Sequence, residues 1–172
     1  MSASLSMYQA SVPVFLRALR NLRHVLEKGE AHARGQGEEP AILLQARLHE
    51  DMLPLVRQVQ IATDMAKFGA ARLAGVESPR FEDGETTFGE LYARLDAVAD
   101  YLGTFDEASL QGSETRAVTV STRTRGDLHF DGRGYLLGFV VPNLFFHVTI
   151  AYAILRHHGV ALGKADYLGP AA

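Results

Sequence analysis

Apolar residues recur along this chain at steps of three and four, the period of amphipathic helices rather than of strands. Val12, Phe15, Leu19, Leu22 and Leu26 form the first stripe. The glycines and charges of "KGEAHARGQGEEP" then predict a loop. A second stripe runs through Leu48, Met52, Leu55, Val59, Ala62 and Ala66, with Pro54 inside it. Proline lacks an N–H and crowds the preceding turn, so a kink is expected there. After "GVESPRFEDGE", a second loop, Thr87 to Glu90 ("TFGE") has the capping-box form. Phe88, Leu91, Leu95, Val98, Leu102 and Phe105 carry the third helix onward. Leu137, Val141, Leu144, Val148, Ala151 and Leu155 mark the fourth, with Gly159 at the place of a left-handed C-terminal cap. His157 and His158 lie at that end, where the helix dipole favours cations.

Between the third and fourth stripes the period changes to two. Val118 and Val120 alternate with Thr119 and Ser121, "RGD" supplies a turn, and "LHF" alternates again, which predicts a short β-hairpin or extended loop. The pattern as a whole predicts an all-α fold, an antiparallel four-helix bundle, formed by residues 1–172 as a single domain.

Composition narrows the classes. The chain has 172 residues, is 47% hydrophobic and carries a net charge of -3, ordinary for one soluble domain with a real core. Lysine and arginine are scattered, so no nucleic-acid partner is expected. The absence of cysteine excludes disulfides and thiolate chemistry and fits a cytoplasmic protein. The N-terminal segment has no basic-then-apolar pattern of a signal peptide. Tyr135 to Leu155 is long enough to span a bilayer, but Pro142, Asn143 and His147 lie near its centre. No membrane partner is expected, and this segment reads as the most buried helix of the bundle.

Four polar residues sit on core-facing or core-flanking seams: Asp51 and Gln58 on the second helix, Asn143 and His147 one turn apart on the fourth. They are the candidate ligand-binding set. Three readings stand for them: mutual hydrogen bonding with nearby backbone, a small-molecule pocket, and a metal site. Glu82, Asp83 and Glu85 read as a solvated acidic loop, and "GKADYLG" near the C-terminus as a tail docked on the helices.

"LHEDMLPLVRQVQIATDMAK", "TFGELYARLDAVADYL" and "FFHVTIAYAILRHHGVALGKADYLG" together resemble an uncharacterised domain-of-unknown-function branch of the DinB/YfiT-like four-helix bundles. The resemblance implies an antiparallel bundle, often a homodimer. In the wider superfamily one histidine of the second helix and an i, i+4 pair on the fourth bind a divalent metal, which some members use in thiol-dependent transfer. Aligned on Gly159, His147 matches the second histidine of that pair and is the one metal ligand carried over. Asn143 stands where the first would be, and the second helix offers His49, Asp51 or Gln58 without a firm match. The expected role is therefore binding or accessory, with a degenerate metal site. The alternatives are a metal- or thiol-dependent transferase rebuilt around His147, and a dimeric interaction protein.

Overall fold

The computed structural model describes residues 5–122 and 124–171. In chain order its elements are α1 (Val12–Gly35), a short α2 (Ala41–Leu44), α3 (Leu55–Ala74), α4 (Phe88–Leu102), β1 (Val118–Thr122), β2 (Gly126–Phe130), α5 (Gly132–Tyr135), α6 (Val141–His157) and a short α7 (Lys164–Leu168). The protein is mostly helical, with one two-stranded antiparallel sheet. The four long helices share a single core, in which α3 packs against α1, α4 and α6.

The first stripe is buried as its spacing requires, but α1 continues to Gly35, through residues whose composition predicted a loop. The reason is tertiary. Ala33 is fully buried, and Gly29 faces α6 so closely that a Cβ there would lie 2.8 Å from Leu155 Cδ2. Gly29 is thus a point of helix–helix approach, not a helix end. At Pro54 the outcome also differs. Pro54 is extended (ψ 167°) and stands just before α3, so the helix starts after it instead of kinking around it. Leu48 is exposed and Met52 lies in the connection, outside the helix.

Thr87 caps α4 as predicted: Glu90 N–H donates to Thr87 Oγ1 (3.2 Å), and Thr87 N–H donates to Glu90 Oε2 (3.0 Å). The hairpin forms as well, with Val118 opposite Phe130 and Val120 opposite Leu128. Val118 and Val120 face the core, while Gly126 and Asp127 of "RGD" belong to β2, after the turn.

A π-helical turn, Leu136–Val140, joins α5 to α6. Its i→i+5 bonding inserts one residue, so the face before it is rotated relative to the face after it. Leu136 and Val140 therefore continue the buried seam of Leu144 and Val148, and the predicted Leu137 points outward, 57% exposed. Gly159 (φ +86°) ends α6 as predicted, with Val160 N–H donating to Leu155 O (3.1 Å) and Gly159 N–H to Arg156 O (3.2 Å).

The most buried long helix is α3, not α6. Gln58, Gln60, Thr63 and Lys67 of α3 are all within the core. Gly132–His157 is long and apolar enough to cross a membrane, with mean hydropathy 1.7 over its most apolar window, yet only 33% of that window is buried. Phe146, 54% exposed, and Leu137 mark the apolar surface it leaves open.

Candidate functional site

Gln58 lies at the end of the first turn of α3, four residues after Pro54, and is 2% exposed. Its Nε2–H donates to Leu53 O (2.9 Å), the carbonyl just ahead of Pro54. That bond fixes which end of the amide is which. Gln58 Oε1 is left facing His147 Nδ1 at 2.8 Å. Because Oε1 can only accept, Nδ1 carries the proton and donates. The imidazole's lone pair is then on Nε2, which has no partner among the described residues and is not sealed from solvent. Desolvation pushes the His147 pKa below its ordinary value, which keeps the ring neutral. Phe146 stands edge-on to the ring, with centroids 5.2 Å apart.

Asn143 shares the helix with His147 but has a backbone task. Its Nδ2–H donates to Phe139 O (2.6 Å), across the break that Pro142 and the π-helical turn make in the helical bonding. Asp51 lies in the connection ahead of α3, with its side chain 81% exposed and paired to His49 Nδ1 at 2.6 Å. The structure thus brings Gln58 and His147 together, keeps Asn143 nearby and leaves Asp51 at the surface.

A divalent metal needs three or four good donors. Here one imidazole faces a carboxamide already engaged at both ends, and a second carboxamide is committed to the backbone. Among the described residues no group of three histidine or carboxylate side chains could hold an ion. The donor set does not fit a divalent metal.

A second polar cluster went unread in the sequence. Arg94 of α4 is 4% exposed. Its Nε–H donates to Thr63 Oγ1 (2.7 Å), and its terminal nitrogens meet Asp64 (3.1 Å), Asp83 (3.1 Å) and Glu85 (2.9 Å). Lys67 Nζ reaches Asp64 (3.0 Å) and lies over the rings of Phe68 and Phe81. Arg57 pairs with Asp83 (2.6 Å), and Gln60 Nε2–H donates to Glu85 Oε2 (2.7 Å). Burial works against ionising Asp83, yet Arg57 and Arg94 together hold its pKa below the usual carboxylate range. Asp83 and Glu85 therefore strap the acidic loop to the buried Arg94, with the half-exposed Arg57 on Asp83, while Glu82 remains exposed. The signal was present: Arg94 falls between Leu91, Leu95 and Val98 on the core stripe, with three carboxylates in the preceding loop.

Comparison with known proteins places this architecture. The model of DUF1993, a domain of unknown function, matches residues 7–168. A crystal structure of a DinB family member protein from Shewanella denitrificans is 40% identical, with a TM-score of 0.88 over 96% of this chain and 93% of that one. No curated protein matches the chain.

Proposed function

The chain belongs to the DUF1993 family, a DinB-like branch, and from that premise we propose that it is an antiparallel four-helix bundle with a binding role, its metal site given over to direct recognition of a small neutral ligand. One observation carries the reading: the Leu53–Gln58–His147 relay holds a neutral imidazole with its Nε2 lone pair outward. Such a group accepts a hydrogen bond from an O–H, S–H or N–H, and the exposed ring of Phe146 beside it suits a ligand with an apolar body. Among the described residues the side chain bonded to His147 is the neutral carboxamide of Gln58 rather than an acid or base, and that geometry supports binding better than transfer chemistry.

Phenol, an apolar ring with one O–H, is a direct probe. In protein with 15N-labelled histidine, the ring nitrogens are expected to report the Nδ1–H tautomer at pH 7.5, with phenol shifting Nε2 saturably and anisole leaving it in place. Equal effects of the two, or none from either, would sink the reading. Protein purified metal-free and then exposed to zinc, nickel or manganese is expected to hold less than about 0.1 equivalent, since built sites bind far more tightly than that; one equivalent on His147 would restore the metal reading.

The open apolar face of α6 supports a homodimer as an additional assembly. Leu137 of the π-helical turn and Phe146 of α6 are large, apolar and exposed. Light scattering at micromolar concentration is expected to give twice the chain mass, and Phe146→Asp the chain mass itself.

A further inference from the structure

The C-terminal tail is tied to α1 by polar bonds that leave one side-chain acceptor, still open to solvent, unused among the described residues. Asp166 takes Gly163 N–H on Oδ2 (2.8 Å) and both His24 Nε2 and Lys28 Nζ on Oδ1 (2.9 Å each), so both its oxygens are engaged. Arg17 donates to Leu168 O (3.0 Å) and Pro170 O (3.1 Å). Asn21 Nδ2–H donates to Tyr167 O (3.0 Å), which fixes its amide orientation. Asn21 is 7% exposed, and its Oδ1 accepts from no donor among the described residues.

Asn21 lines two clefts, and its Oδ1 lies against Gly169 of the tail. One, of about 210 Å³, runs between α1 and α6 with apolar walls from Val14, Ala18, Phe145, Val148 and Leu168. The other, of about 400 Å³, lies on the far side of Asn21 between α1 and the tail, with Arg20 at its edge. Asp166 also lines this second cleft, but Lys28 balances its charge. Neither Arg17 nor Arg20 is paired with a carboxylate among the described residues, so the surroundings of Asn21 carry excess positive charge.

We propose that these clefts form a binding site for a small amphipathic carboxylate of the N-acyl amino acid class. Its acyl chain occupies the apolar cleft, its amide N–H donates to Asn21 Oδ1, and its carboxylate sits by Arg20. The three parts follow from three separate features: an apolar slot, a solvent-open amide oxygen without a donor among the described residues, and a cation without a carboxylate partner among them. Phe145 and His147 are two residues apart on α6 and so face about 200° apart. This site therefore stands or falls independently of the His147 reading.

N-hexanoylglycine tests it on the full chain by 15N NMR. Saturable shifts are expected at the Asn21 side-chain amide and along Val14–Asn21 and Phe145–Val148, with a Kd on the order of 0.1–1 mM for a ligand this small. O-hexanoylglycolate, in which an ester oxygen replaces the N–H, is expected to bind about tenfold more weakly, the weight of one hydrogen bond. Arg20→Gln alters an exposed side chain and is expected to weaken N-hexanoylglycine at least about threefold without loss of fold. Equal affinity for the two probes, shifts centred on His147, or no saturation by about 10 mM would overturn the assignment.

Discussion

At the scale of single residues the informative pair is Gln58 and His147. Their bond decides which imidazole nitrogen is available, and it rests in turn on the bond from Gln58 to Leu53 O. Removing the ring by His147→Ala leaves Gln58 Oε1 buried without its donor. Denaturation at pH 7.5 is expected to show a loss of about 1–3 kcal/mol, the usual cost of an orphaned buried group. The pH dependence has a definite sign. Desolvation lowers the folded-state pKa of His147 below its ordinary 6.5. The unfolded chain therefore takes up this proton first, so stability falls as pH drops below about 6.5 and this loss is complete below the folded value. His147→Ala is expected to flatten that part of the stability–pH curve; an unchanged slope would remove the buried neutral ring as its source. The seams of the sequence placed Gln58 and His147 toward a common interior. They could not place Asp51, because its position depended on where the helix begins, nor Asn143's bond to Phe139 O, because apolar periodicity does not register a side chain returning to its own helix backbone.

At the scale of elements, local chemistry and tertiary packing act in different places. The cap of α4 is local, and its residues announce it. Thr87→Ala is expected to cost about 1 kcal/mol, read as a lowered thermal midpoint with the helix otherwise intact. The far end of α1 is set by packing. Gly29 sits against Leu155, whereas a Cβ at Gly35 would meet nothing within 4 Å. Gly29→Val is accordingly expected to cost about 1–3 kcal/mol through overpacking, and Gly35→Ala to be neutral or to stabilise by up to about 1 kcal/mol. If the two substitutions behave alike in urea denaturation, close approach is not what keeps Gly29. The glycine-rich composition of this stretch predicted a loop because composition registers flexibility but not the neighbour that makes a small residue necessary.

For the whole molecule, the central fact is that α3 lies at the middle of the packing. A helix buried on most sides cannot keep all its polar residues in water, so Lys67, Gln60 and Thr63 need partners inside. Arg94 and the carboxylates of Asp64 and Glu85 supply them, and Arg94, by also holding Asp83, ties the α3–α4 connection to the core. Breaking such a network from one side is far costlier than an exposed pair would be. Arg94→Met is expected to destabilise the protein by about 3–5 kcal/mol and to raise amide exchange through residues 76–87 ahead of the rest. Uniform exchange across the chain would mean that the strap is not held by Arg94.

The sequence by itself determined the helical period, the α4 cap, the left-handed end of α6, the hairpin alternation and the family. Each depends on residues close together in the chain, or on long apolar stripes that admit one burial pattern. Only the tertiary structure decided that α3 rather than α6 is the enclosed helix, that Gly29 lies within a helix, and that Arg94 is a buried hub. It alone showed that His147 faces a carboxamide instead of a set of metal donors. Those outcomes depend on which faces meet across the core, and a periodic stripe specifies that a face is buried without specifying what lies opposite it.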